Sequence, residues 1–326
     1  MTQSWRPVSD LQHLRLRAQM LADIRRFFAE RQVLEVETPL LCRTTGTDPN
    51  LEFFATRFSA PPNNTPLFLQ TSPEFAMKRL LAAGSGSIYQ VCKAFRNAET
   101  GRCHNPEFTI LEWYRIDFSL QNLMAEVAEL LVGLLQPACP ELKVKQISYQ
   151  GLFQAVTGLN PLVYNRRDYQ HFAQTAGFDE ADRLCADQHV LWLDFLFSHC
   201  VQPAMTNGIL YLVYGYPAIL SSLARISSSD PRITERFEVF INGLELGNGF
   251  YELADAIEQE ARFDREISYR QQQGLPLVEK DSLLLAALTA GLPECSGVAL
   301  GLDRLLMIAG SSQNIQAVLA FPIDNV

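Results

Sequence analysis

Apolar residues recur at helical spacing from Leu11 to Gln32. Leu14, Leu21, Ile24 and Phe28 fall on one stripe, with Arg15, Arg25 and Arg26 off it, the pattern of a helix that buries one face. The period then changes. Val33–Thr38 alternates valine and glutamate before Pro39, which predicts a strand ending where proline removes a ladder donor. Leu67–Gln70 reads as a short strand, and Thr71-Ser72-Pro73-Glu74 opens a helix over Pro73–Ala83 with cap residues and a first-turn proline. Ile88–Phe95 and Glu107–Tyr114 are apolar strands joined by a polar loop. Leu120–Leu135 is an amphipathic helix, and residues 146–210 are mainly helical in pattern. Strands return at Leu210–Tyr214, Phe237–Ile241 and Leu244–Leu246. A helix over Ala256–Gln273 and a strand, Val298–Leu300, follow, the strand feeding a helix that starts near Gly301. Turn residues concentrate in Ser59–Pro66, the clearest loop. Neither it nor the break at Gln136–Glu141 is long enough to divide the chain, so residues 1–326 are expected to form one domain. Strands in hairpin-like pairs with helices between them predict an α+β fold around a largely antiparallel sheet.

Composition narrows the function classes. The 326 residues include 27 Lys plus Arg against 36 Asp plus Glu, a net charge of −9, which argues against broad binding to a phosphate backbone. No apolar stretch approaches the roughly 18–20 residues that span a bilayer. Met1–Asp10 lacks a basic-then-apolar signal, and seven cysteines without a C-x-x-C pair do not form a disulfide framework. A cytoplasmic protein without a membrane partner is expected.

Three constellations could carry chemistry. The loop from Arg96 to Phe108 presents Arg96, Glu99, Arg102, His104 and Asn105 and closes on an aromatic; it suits a nucleotide, with guanidinium on phosphate and ring on base, or is a solvated hairpin loop. Glu238, Glu245 and Glu252 lie among apolar strand residues. They face water, or they face inward and need a partner or a metal; Gly247 and Gly249 would let another group approach the backbone. Gly297–Arg304 brings an arginine to a helix start, an anion site or a packed strand–helix joint. Cys185, His189, His199 and Cys200 resemble zinc ligands, but the His189–His199 step of roughly 15 Å on a helix is too long for one tetrahedral ion.

In order, these segments resemble the three motifs of class II aminoacyl-tRNA synthetases, most closely the lysine-specific catalytic domain. Phe27–Leu41 is similar to motif 1, Phe95-Arg96-Asn97 with His104-Asn105-Pro106-Glu107-Phe108 to motif 2, and Gly297–Arg304 to motif 3. Glu245–Phe250 with Glu252 and Asp255 resembles the lysine-binding strand and turn. The resemblance implies an antiparallel sheet flanked by helices and a homodimer formed through motif 1. It implies Arg96 and Arg304 as the catalytic arginines on ATP and Phe108 stacked on adenine. Asn97, His104, Asn105, Glu245, Leu246 and Gly301 complete the nucleotide site, and Glu238 and Glu245 hold Mg²⁺. Ser72, Pro73 and Glu74 lie at the substrate's backbone-end amine, Glu252 and Tyr114 at its terminal ammonium, Asn248 near its carboxylate and Ala299 at the pocket floor.

Two departures sharpen the expectation. Only about ten residues precede the motif 1 helix, so no anticodon-binding domain and no tRNA partner are expected. The chain looks like the stand-alone paralogues that adenylate (R)-β-lysine and pass it to a lysine of elongation factor P. Lysyl synthetases typically carry glycine where Ala299 stands, and the added methyl is expected to favour the β-amine. Motif 2 normally reads Arg-x-Glu, whereas here Ala98 holds the glutamate position and Glu99 follows one place late; either the loop shifts to use Glu99, or an adenine contact is lost. The competing readings are a truncated lysyl-tRNA synthetase-like enzyme charging another acceptor, and a non-catalytic synthetase-like regulatory subunit.

Overall fold

The computed structural model describes residues 5–60 and 63–326. Helix α1 (Leu11–Glu30) is capped by Asp10, whose carboxylate accepts from His13 N–H. Then come β1 (Leu34–Glu35), β2 (Leu41–Cys42), β3 (Ala55–Ala60), β4 (Asn63–Leu69), α2 (Glu74–Ala82), β5 (Ile88–Phe95), β6 (Glu107–Ile116) and α3 (Leu120–Leu135). The middle of the chain holds β7 (Lys143–Ser148), α4 (Tyr149–Thr157), α5 (Arg166–Thr175), α6 (Ala181–Cys185) and α7 (His189–Leu196). The last part holds β8 (Ile209–Pro217), β9 (Ile233–Ile241), β10 (Leu244–Tyr251), α8 (Ala256–Gln272), α9 (Ser282–Gly291), β11 (Cys295–Gly301) and α10 (Leu302–Ala309).

Eight strands form one sheet in the order β1-β5-β6-β11-β10-β9-β8-β7. The six inner strands are antiparallel, and only the edge pairs β1/β5 and β7/β8 are parallel. Period-two alternation divides the inner strands between two faces. Leu111, Trp113, Val298, Leu300, Phe237 and Val239 pack with α1, α3 and α10 in the largest core. The alternate residues face the other way. Gln90, Glu112, Ala299, Asn248 and Glu238 oppose one another in register across β5, β6, β11, β10 and β9, a row of polar groups on one face of the sheet. The middle helices build a second core on the far end of that face, where Tyr149, Phe153, Trp192 and Phe197 meet Tyr211, Val213, Tyr216 and Phe240. Helices α2, α8 and α9 cover its near end through Met77, Leu81, Phe263 and Leu284.

Three expectations change. The strand over Val33–Thr38 shrinks to Leu34–Glu35, with one further bond from Val36 N–H to Tyr89 O, because it pairs on one side only and Pro39 follows. Ser59–Pro66 is largely hairpin rather than loop: Ser59 pairs with Asn64 and Arg57 with Pro66. Pro61 and Pro62 lie outside the described residues, as do Met1–Ser4 of the N-terminal segment. Because β2 pairs only with Phe68 and Leu69 of β4, Pro66 sits where one side of β4 has no neighbour, so a proline is tolerated. Residues 146–148 close the edge strand β7 before the helices begin. Outside these elements, His189 stacks on Tyr164 and His199 on Phe195, each in its own aromatic setting.

Asp303 joins three elements. It is buried, accepts from Thr109 N–H at 2.7 Å and pairs with Arg17 of α1. Asp303→Ala is expected to destabilise the fold by roughly 3 kcal/mol, the cost of breaking a buried pair and leaving its partner uncompensated. The midpoint of urea unfolding checks this, and an unchanged midpoint would contradict it.

Candidate active site

The polar row opens into a cleft at the start of α10. Gly301 occupies the N-cap position of that helix, and Arg304 stands on its first turn. Three acceptors fix the Arg304 fork: Cys103 O at 3.2 Å, Glu245 O at 2.8 Å and His104 Nε2 at 2.6 Å. Burial and the Arg304 charge hold the His104 imidazole below its ordinary range, so the ring is neutral and free to accept that bond. Arg96, just past the end of β5, lies over the Phe108 ring at 5.2 Å, and its buried Nε has no hydrogen-bond partner among the described residues. Two guanidinium groups and an aromatic face thus share one cleft with Ile110, Ala299 and Asn248.

Ala98 adopts φ = 61°, a left-handed turn that costs an L-residue about 1 kcal/mol or more. The turn brings Glu99 into the cleft wall, where it pairs with Arg96 at 3.7 Å. Glu99 thus stands in the cleft wall although it follows one place after the usual motif 2 position. Asn97 is exposed, with Oδ1 accepting from Ala98 N–H.

Asn105 lines the cleft, but its amide is engaged at both ends, donating to Glu107 O and accepting from Ile323 N–H. It clamps the C-terminal segment to the loop, with one donor left for a ligand. Leu246 sends its side chain into the core and shares the cleft wall. Gly247 and Gly249 do permit close approach, but of neighbouring protein: a Cβ on Gly247 would lie 2.0 Å from Ala299 O, and one on Gly249 2.5 Å from the Phe237 ring.

Next to Ala299, across the β11/β6 pairing, Glu112 belongs to a second, buried group of charges. Ser72 donates to Glu112 at 2.9 Å and accepts from Glu74 N–H, with Pro73 as the N-cap of α2. Tyr114 donates to the other Glu112 oxygen at 2.6 Å. Lys78, almost wholly buried, reaches Glu74 at 2.7 Å and Glu252 at 2.6 Å. Burial, reinforced by Glu74, pushes the Glu112 carboxyl up to about 8. Burial pushes Glu252 up to about 7 against the pull of Lys78. Burial also opposes the Lys78 charge, yet Glu252 and Glu74 outweigh it and hold the ammonium protonated beyond its ordinary range. Gly297 lets the Tyr114 ring and the Glu252 carboxylate pack against the β11 backbone, since a Cβ there would lie 2.4 Å from the ring and 2.6 Å from the carboxylate.

Lys78 and Glu112 went unassigned in the sequence reading. Lys78 is four residues from Glu74 on one helix, the spacing of an ion pair. Glu112 is an acid between Leu111 and Trp113 on an apolar strand, the same signal that drew attention to Glu245.

Glu238 faces a neighbouring cavity rather than the cleft, and Glu245 lines both. Glu238 accepts from Tyr216 OH at 2.6 Å and pairs with Arg236. Burial raises its carboxyl, Arg236 lowers it and Glu245 raises it further. A buried Glu238 with Glu245 beside it fits a divalent cation. No third acid, histidine or cysteine joins them in a metal-binding group among the described residues, so the other positions would fall to phosphate and water, as Mg²⁺ accepts.

Residues 5–325 match the family model of class II tRNA synthetases (D, K and N). An elongation factor P–(R)-β-lysine ligase of Histophilus somni (strain 2336) is 47% identical over 328 residues, 99% of each chain. The enzyme of the same name from Haemophilus influenzae (strain PittGG) is 47% identical over 323 residues, 98% of each. That of Pasteurella multocida (strain Pm70) is 46% identical over 325 residues, 99% of this chain and 98% of the relative. An antiparallel sheet carrying motif 2 on β5 and β6 and motif 3 on β11 and α10, matched over nearly its whole length, places this chain in the class II tRNA synthetase family of the D, K and N type.

Proposed function

We propose that this protein uses ATP to activate (R)-β-lysine as an adenylate and transfers the β-lysyl group to a lysine side chain of elongation factor P. One observation carries the reading: the sheet that holds Arg96, Arg304 and Phe108 in one cleft also carries a buried group in which Lys78 pairs with Glu74 and Glu252 while Glu112 accepts from Ser72 and Tyr114. When ionised, Glu74, Glu112 and Glu252 exceed Lys78 by two negative charges, the complement of a substrate with two ammonium groups. The names of the relatives support the same choice.

The first step joins two anions, the substrate carboxylate and the α-phosphate. Arg96 and Arg304, held in a preorganised frame, lower that repulsion and stabilise the charge that develops. Phe108 offers the base a face, and His104, Asn105, Leu246 and Gly301 border the phosphates and ribose. Mg²⁺, held by Glu238 and Glu245, would neutralise phosphate charge as a Lewis acid. Glu74 takes the amine nearest the carboxylate, Glu252 and Tyr114 the far one, and Asn248 the carboxylate. Ala299, in register with Glu112 and Asn248, narrows the floor toward the β-isomer. No strong general base is required, because the acid arrives ionised and the adenylate is already activated.

The remaining features of this reading are a single catalytic unit over residues 1–326, action in the cytoplasm without tRNA, and a homodimer. For the dimer, exposed Leu34 of β1 and exposed Leu40 and Leu41 at the start of β2 are apolar surface that a second copy would cover. No helix among the described residues is long and apolar enough to cross a membrane.

Mass spectrometry of purified elongation factor P, incubated with this protein, ATP and each lysine isomer, tests the reading. A single ATP-dependent addition with (R)-β-lysine is expected. No addition with any isomer would overturn the function, and equal addition with α-lysine would overturn the role of Ala299.

A further inference from the structure

The neighbouring cavity, of about 220 Å³, has a use that the adenylation step leaves open. Its outer wall is Asp194 and Ser198, both exposed, at the end of α7 and in the turn after it. Its sides are the Tyr149, Phe197 and Phe240 rings, and its inner end is Glu238 and Glu245. Glu245 also lines the nucleotide cleft, so the two spaces share that side chain as a wall. Tyr149 is 1% exposed, and its hydroxyl has no hydrogen-bond partner among the described residues, a cost of about 1–3 kcal/mol unless a ligand or water meets it. The one cation on the wall, Arg236, is paired with Glu238, and Glu245 pairs at 3.9 Å with Arg304 of the nucleotide cleft, which leaves Asp194 as the acid on that wall without an ion pair among the described residues.

We propose that this cavity receives the acceptor lysine side chain, which enters past Asp194 and Ser198 and meets the adenylate beside Glu245. Aromatic walls suit the four-carbon stem, and acids at both ends suit its ammonium. The inference rests on the functional reading above and assigns the middle helices, α4 and α7, a part in the second half-reaction. In that step the amide C–N bond forms as the acyl C–O bond to phosphate breaks. AMP leaves with that electron pair, and two protons of the incoming ammonium pass to solvent. The acceptor is required only after pyrophosphate has left, so Glu238 and Glu245 serve the two half-reactions in turn.

The test separates those half-reactions. Ser198→Trp blocks the mouth and Asp194→Lys reverses its charge, both at exposed positions. β-Lysine-dependent ATP–pyrophosphate exchange is expected to stay within about twofold of the parent, which also reports an intact fold. Transfer to elongation factor P is expected to fall at least tenfold in each variant. Unchanged transfer would overturn the inference, because the acceptor would then enter elsewhere. A parallel fall in exchange would also overturn it, assigning the cavity to pyrophosphate. A parent enzyme without β-lysine-dependent exchange would sink the functional reading itself, a result distinct from either.

Discussion

Arg304→Ala is expected to slow β-lysine-dependent ATP–pyrophosphate exchange by about 10³-fold, the scale of losing a preorganised donor to developing charge. The loss has two parts. The guanidinium charge goes, and so does the fork that ties Cys103 O, Glu245 O and His104 to one another. Lysine cannot restore the second part, because a point charge on a flexible stem does not reproduce a planar fork with three fixed directions. Arg304→Lys should therefore recover little of the rate, and KM for ATP should rise in both variants. Single-turnover adenylate formation separates the two effects. Exchange within about threefold of the parent in Arg304→Ala would remove this arginine from the chemistry.

Glu252→Gln is expected to lower kcat/KM for β-lysine by about 10³-fold, because a buried ammonium on either side of the position loses its counter-charge. Lys78 would keep Glu74 alone, and the substrate would lose one of the three acids. The pH dependence follows from the same group. In the empty pocket Glu252 and Glu112 titrate near 7 and 8, above the ordinary carboxylate range, and both must be ionised to hold ammonium groups. KM for β-lysine should therefore fall as pH rises from 6 to 8.5. The stability of the empty enzyme should move the other way. Its folded state holds protons that the unfolded chain has already released, so stability is lost as pH rises through 7 to 8. Saturating β-lysine should oppose that loss. Melting temperatures across pH, with and without β-lysine, check both signs; a melting temperature that rises with pH in the empty enzyme would contradict the assignment.

Much of the fold was readable locally. Leu120–Leu135 is helical over the expected span because Ser119 caps Asn122 N–H and the apolar stripe fits a 3.6-residue period. Ile88–Phe95 has the expected bounds and Glu107–Ile116 extends its prediction by two residues, since their alternation fits a sheet with one face in the core and one in the site. The ordered motifs single out Arg96, Phe108 and Arg304, which the fold brings to one cleft. The readings that changed depend on neighbours far away in the chain. The short β1 reflects one-sided pairing with β5, and the hairpin within Ser59–Pro66 depends on a partner for each strand. The place of Glu99 in the cleft wall follows a left-handed turn at Ala98 that spacing does not reveal.

Local periods determined which segments are helix or strand, and the ordered motifs, by their resemblance to class II synthetases, pointed to the family and to the arginines, aromatic ring and spaced acids of its candidate site. Only the tertiary structure decided that Lys78 stands between Glu74 and Glu252, that Glu112 belongs with them, and that Glu245 is shared by two cavities. The reason is register. Opposed residues on antiparallel strands share a face, and a slip of one position would send Glu112, Ala299 and Asn248 to the other side of the sheet. That alignment is set by packing along all eight strands.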